Sequence, residues 1–132
     1  MDLEMMRADC VRWLREGVSV EIANDAINDG IESLWQSLIT ANVGEYISRK
    51  PARLTGNDEF IPFDELSALR FIRYYTISFL FLSVFEFDAS AEWMRRAEMA
   101  RLQAVQEVRQ SSRRDETITA YDPFALGDSI PR

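Results

Sequence analysis

Histidine is absent from this chain of 132 residues, and cysteine, lysine, proline and glycine are scarce: Cys10, Lys50, four prolines and five glycines. Without histidine there is no Ser-His-Asp triad, no imidazole general acid or base, and no carboxylate-histidine metal box of the kind helical bundles build for di-iron chemistry. One cysteine excludes an internal disulfide and a thiolate zinc site. With a helical surrounding pattern and no imidazole to activate it, Cys10 reads as an inert, half-buried thiol rather than a nucleophile. None of the glycines sits in a phosphate-cradling loop. The expectation is a chain with no catalytic residue, no metal and no cofactor. The start, Met1-Asp2-Leu3-Glu4, lacks the basic and apolar regions of a signal peptide, which points to the cytoplasm.

What is present is apolar and acidic. Hydrophobic residues make up 47% and charged residues 28%, the proportions of a folded domain rather than a disordered chain. The stretch from Leu66 to Phe87 is the most apolar, and Tyr74 to Phe85 carries no charge. A membrane span needs about 20 apolar residues, and here Arg70 and Arg73 interrupt the run while Glu86 and Asp88 close it. The segment is read as a helix covered on all sides by neighbouring helices or by other copies of the chain.

Charge is unevenly distributed within the net −7. Residues Met1 to Ser48 hold nine acidic groups against Arg7, Arg12 and Arg15, while Asp88 to Arg114 carries Arg95, Arg96, Arg101, Arg109, Arg113 and Arg114 against four acids. An acidic first half and a basic late helix are suited to pair between subunits, with arginine's planar fork favouring bidentate contacts. The interspersed Glu92, Glu98 and Glu107, and a sequence pI near 4.6, argue against tight DNA binding by that helix.

The fold class expected is all-α: a small antiparallel bundle of about four helices with a short β-hairpin or loop insert and an extended C-terminal tail. Leu3, Met6, Cys10, Trp13 and Leu14 describe one face of a first helix over Leu3 to Arg15, ended by Gly17. Ser19 is placed as N-cap of a second helix, with the stripe Ala23, Ile27, Ile31, Leu34 and Leu38 edged by Ile22 and Trp35. Its opposite face, Asn24, Asp25, Asn28, Asp29, Glu32, Ser33 and Gln36, is polar, and the helix is expected to fade near Gly44 to Ser48. Asp25 to Gly30 faintly resembles a calcium loop, but Ile27 and Gln36 stand where two ligands should be. The insert spans about residues 49–63, with Gly56-Asn57 as its turn. Asp64 is the N-cap expected for the third helix, and Asp88 or Ser90 for the fourth, whose inner face is Trp93, Ala97, Ala100, Ala104 and Val108. Glu92 with Arg96 and Glu98 with Arg101 lace its outer face. Residues 1–114 form the helical domain; in 115–132, Pro123, Gly127 and Pro131 preclude a long helix, and Ile118, Tyr121, Phe124, Leu126 and Ile130 are apolar enough to dock on something.

This order of elements resembles the head-to-tail connector, or adaptor, proteins of tailed double-stranded DNA bacteriophages. The likeness runs from Val20 to Arg109 and is carried by the helix with Ala26-Ile27-Asn28-Asp29-Gly30-Ile31-Glu32-Ser33-Leu34-Trp35, the insert ending in Ile61-Pro62, the apolar helix and the Arg/Ala-rich helix. The resemblance implies a structural virion protein at the capsid-tail junction: a dodecameric ring beneath the portal that extends the DNA channel and offers a platform to the next neck or tail protein. DNA would pass without specific binding, and no membrane is involved. It further implies a portal-docking tail (Ile118, Tyr121, Pro123, Phe124, Leu126, Ile130), subunit contacts through Arg70, Arg73, Arg95, Arg96, Arg101 and Arg109, and an acidic channel lining from Asp25, Asp29 and Glu32. The competing expectations are a small helical interaction module binding one partner and a DNA-packaging accessory subunit.

Overall fold

The computed structural model describes residues 1–41 and 50–120, with side chains through Ser111. Four helices account for most of them: α1 (Leu3–Val11), α2 (Val20–Thr40), α3 (Leu66–Ser83) and α4 (Phe87–Ala120). No strand occurs among the described residues; the only extended pairing is an isolated antiparallel bridge between Asp2 and Phe60.

Asp2 caps α1, its carboxylate accepting from the Met5 N–H at 2.8 Å. The helix buries Leu3, Met6 and Cys10 as its spacing predicts, but ends at Val11 rather than Arg15. Two tight bonds, Trp13 N–H to the Cys10 carbonyl (3.3 Å) and Leu14 N–H to Val11 (3.0 Å), turn the chain there. The turn sets the Trp13 ring edge-on to Trp93 of α4, with centroids 4.9 Å apart.

Ser19 caps α2 through the Ile22 N–H (3.1 Å), and the stripe from Ala23 to Leu38 is buried as expected. At Gly30, α2 lies tight against α3: a Cβ there would stand 3.2 Å from the Tyr75 ring and 3.6 Å from the Ile72 carbonyl. The helix stops at Thr40, earlier than the expected fading point, which lies outside the described residues. Its end is closed from α4, where an Arg109 Nη donates to the Ala41 carbonyl at 2.6 Å.

Asn28 corrects the reading of the polar face. It is buried, and its amide grips the backbone of Leu54 in both directions, donating to the carbonyl (3.0 Å) and accepting from the N–H (2.8 Å). The insert therefore forms a structured loop rather than a hairpin. Its second half pairs with the N-terminus instead of its own first half: Ile61 N–H bonds the Met1 carbonyl, and Leu3 and Glu4 N–H bond Glu59 and Asn57. Arg7 clamps the same corner, reaching Asn24 of α2 at 2.9 Å and Asn57 at 3.0 Å. Within the turn the Glu59 carboxylate accepts from the Gly56 N–H, the Thr55 N–H and the Thr55 hydroxyl, which lowers its pKa, the Gly56 bond most. Leu54, Ile61 and Phe63 anchor the loop in the core.

Helix α3 contacts all three other helices. Its N-cap position is Glu65, not Asp64, and no side chain of its own caps it. The orphan Ser67 N–H is met instead by Glu107 of α4 (3.2 Å), whose second oxygen accepts from the Ser67 hydroxyl (3.3 Å). At the other end of this antiparallel pair, the Ser78 hydroxyl donates to the Ser90 carbonyl at 2.8 Å. Along α4, Trp93, Ala97, Ala100, Ala104 and Val108 are buried as their spacing predicts, the alanines allowing close packing of the helices. Helix α4 starts at Phe87, slightly earlier than expected, and continues past Arg114 to Ala120. Nothing from Asp115 to Ala120 is a helix breaker, and the first proline comes at Pro123.

Of the two covers expected for α3, neighbouring helices or other copies of the chain, the helices of the same chain supply only part. Phe71, Ile72, Ile77 and Leu80 are buried, yet Phe79 and Leu82 are exposed, and so are Phe85 (78%) and Phe87 (61%) beyond them. Bonds from Glu86 N–H to the Phe81 carbonyl and from Phe85 N–H to Leu82 close the helix in the pattern that normally places glycine at the left-handed position. Here that residue is Phe85, at φ 63°, the only non-glycine with positive φ among the described residues. A side chain in this conformation costs roughly 1–2 kcal/mol.

Candidate interaction surfaces

The chemistry-bearing groups are dispersed. Cys10 is fully rather than half buried, its thiol pKa pushed up to about 12 by burial, against an opposing pull from Arg73. It faces the Arg73 carbonyl at 3.7 Å and has no route to act as a nucleophile. Among the described residues no cluster of three or more acidic, histidine or cysteine side chains is placed to hold a metal ion, and no helix is long and apolar enough to cross a membrane.

Asp25, Asp29 and Glu32 share one exposed face of α2, one helical turn apart. Residues 50–53 run beside them, and two of the three charges are matched there: Asp25 by Arg53, Glu32 by Lys50 at 3.0 Å. Asp29 has no ion pair among the described residues. Its pKa is raised, by desolvation first and then by its acidic neighbours, against the pull of Arg53.

The six arginines read as subunit contacts divide by what they already touch. Arg109 closes α2, and Arg73 reaches Asp9 of α1 at 3.5 Å, so both hold the bundle together. Arg95 and Arg96 both pair with Glu92, and the Arg96 guanidinium lies 4.5 Å from the Trp93 ring centroid. Arg101 pairs with Glu98 on its own helix and reaches toward Ser37 of α2. Arg70 is exposed and without a partner among the described residues. Of the expected docking tail, Ile118 falls within α4, while Tyr121, Pro123, Phe124, Leu126 and Ile130 lie outside the described residues.

Two features stand out as surfaces for another molecule. One is the α3–α4 corner, where Phe79, Leu82, Phe85 and Phe87 are exposed and the Phe85 and Phe87 rings meet edge to face at 6.3 Å. Glu86 and Asp88 stand beside them in solvent. The other is an open groove of about 660 Å³ between the last turns of α2 and the middle of α4. Ser33, Ser37 and Thr40 form one wall; Arg101, Leu102 and Val105 form the other. Leu102 is 73% exposed, and the Nε of Arg101 is buried without a hydrogen-bond partner.

Sequence reasoning finds neither surface. The corner is hidden because the pattern of an apolar run does not say where the helix stops. The groove is hidden because it belongs to two helices distant in sequence. Comparison with protein-family models, with curated proteins and with solved structures returns no match to this chain.

Proposed function

We propose that the protein is a structural assembly subunit of a tailed-phage neck, a head-to-tail adaptor that forms a ring below the portal and extends the DNA channel toward the tail. The observation that carries this reading is the α3–α4 corner: four large apolar side chains exposed to water, one of them, Phe85, on a left-handed backbone, where a monomer would gain by burying or deleting them. The order of helices and insert, with a long arginine-bearing last helix, supports the adaptor class in particular. In this reading the portal is met by residues 121–132 presented on the end of α4, and Asp29 is the unpaired acid available to repel passing phosphates, Asp25 and Glu32 being already matched.

Native mass spectrometry and light scattering test it. The expected result is a closed ring, alone or on addition of portal protein, and copurification with virions. A chain that stays monomeric or dimeric in both settings overturns the reading in favour of a small interaction module. Deleting residues 121–132 leaves α4 whole and should abolish portal binding; unchanged binding would remove the tail from the proposal.

A further inference from the structure

We infer that the α3–α4 corner of one copy inserts into the α2–α4 groove of the next, with Phe85 and Phe87 as the knob and Leu102, Val105 and Arg101 as the socket. This rests on the reading of the protein as an assembly subunit. The two surfaces complement each other in chemistry. The knob is aromatic and flanked by Glu86 and Asp88; the socket offers exposed Leu102, half-buried Val105, and the partly exposed guanidinium of Arg101, which Glu98 and Ser37 hold at the groove and which can take a further carboxylate on its open edge. A volume of about 660 Å³ lies within the range of roughly 300–1,000 Å³ typical of pockets that enclose small ligands.

The same chain cannot make this contact with itself. Phe87 and Leu102 lie on one continuous helix, about 22 Å apart at about 1.5 Å per residue. The contact therefore joins two copies, and we take it as heterologous, head to tail, the kind that propagates around a ring when the rotation closes. It also explains why the helix corner carries phenylalanine where glycine would be relaxed. The left-handed backbone lifts the ring off the bundle, and an aromatic anchor that fills a partner's pocket is the residue type that carries binding energy.

The experiment uses two full-length variants and their mixture. F85A/F87A removes the knob and keeps the socket; L102E spoils the socket and keeps the knob. Both sites are exposed, and far-UV circular dichroism with thermal melts checks that each variant folds. Sedimentation velocity should show that each alone associates at least about tenfold more weakly than the unmodified chain. Mixed one to one, they should form a heterodimer that grows no further, since one good knob and one good socket remain. F85G, which relaxes the backbone while deleting the ring, should melt no lower than the unmodified chain and still fail to assemble.

Rings that persist in both variants would overturn the knob-and-socket contact while leaving the adaptor reading intact. Open filaments from the unmodified chain, abolished by either variant, would do the reverse. Loss of assembly with no heterodimer on mixing would make the contact isologous and overturn the inference. A lowered melting temperature for monomeric L102E would place a segment of the same chain in the groove, with the same consequence.

Discussion

Entering α3, the chain uses residues 50–65; leaving it, only Val84 to Glu86. The entry is secured by side chains from elsewhere: Asn28 holds Leu54, Arg7 holds Asn57, and Glu107 meets the first turn of the helix, while Leu54, Ile61 and Phe63 sit in the core. The exit satisfies its backbone hydrogen bonds but gathers its aromatic side chains on the outside and holds one in a left-handed conformation. One reversal is built for the stability of the single chain. The other sets that stability aside, which is where a surface for a partner is expected.

Substitutions can break this contrast, and the largest effect belongs to the entry. Asn28→Ala leaves the buried N–H and carbonyl of Leu54 unmatched and should destabilise the chain by roughly 2–6 kcal/mol, at about 1–3 kcal/mol for each orphaned group. Chemical denaturation measures it; a loss under 0.5 kcal/mol would mean that the loop is held by its apolar anchors alone. Glu107→Ala removes the remote cap of α3 and should lower stability by about 1–2 kcal/mol, with Glu107→Gln recovering part of it.

At the exit the sign reverses. Phe85→Gly relieves roughly 1–2 kcal/mol of backbone strain and gives back about 0.5–1 kcal/mol through the greater freedom of glycine in the unfolded chain. A net gain of about 0.5–1 kcal/mol is expected in thermal or denaturant unfolding of the monomer. A clear loss instead would make Phe85 a member of the fold, and the two reversals would no longer differ in kind.

Much of the bundle is legible from period alone. Ala23, Ile27, Ile31, Leu34 and Leu38, and Trp93, Ala97, Ala100, Ala104 and Val108, keep helical spacing, and each buries as a stripe because a helix can turn only one face to its neighbours. The Ser19 cap and the Glu98–Arg101 pair are local too, and local rules find them. What escapes is long-range. Asn28 is polar and precedes Asp29, but it shares a side of α2 with Ile31 and Trp35, which turns it toward the insert. Glu107 replaces Asp64 as the group that caps α3 because α4 brings a carboxylate to the helix end, and no reading of residues 62–67 contains that information. The end of α4 is misplaced for another reason: loss of apolar periodicity signals loss of packing, not loss of helix.

The bridge between Asp2 and Phe60 has a kinetic meaning. Helices α3 and α4 are neighbours in sequence and can zip from their shared corner with little chain to close, whereas the N-terminal residues must find partners 53 to 60 residues away along the chain. The hairpin of α3 and α4 is therefore expected to form before the clasp of residues 1–4 on 57–61, an order that pulse-labelling hydrogen exchange during refolding would test. On that order the aromatic corner would exist before the chain has finished folding, and the rate of closing the clasp would set how long the half-made core stays open beside it.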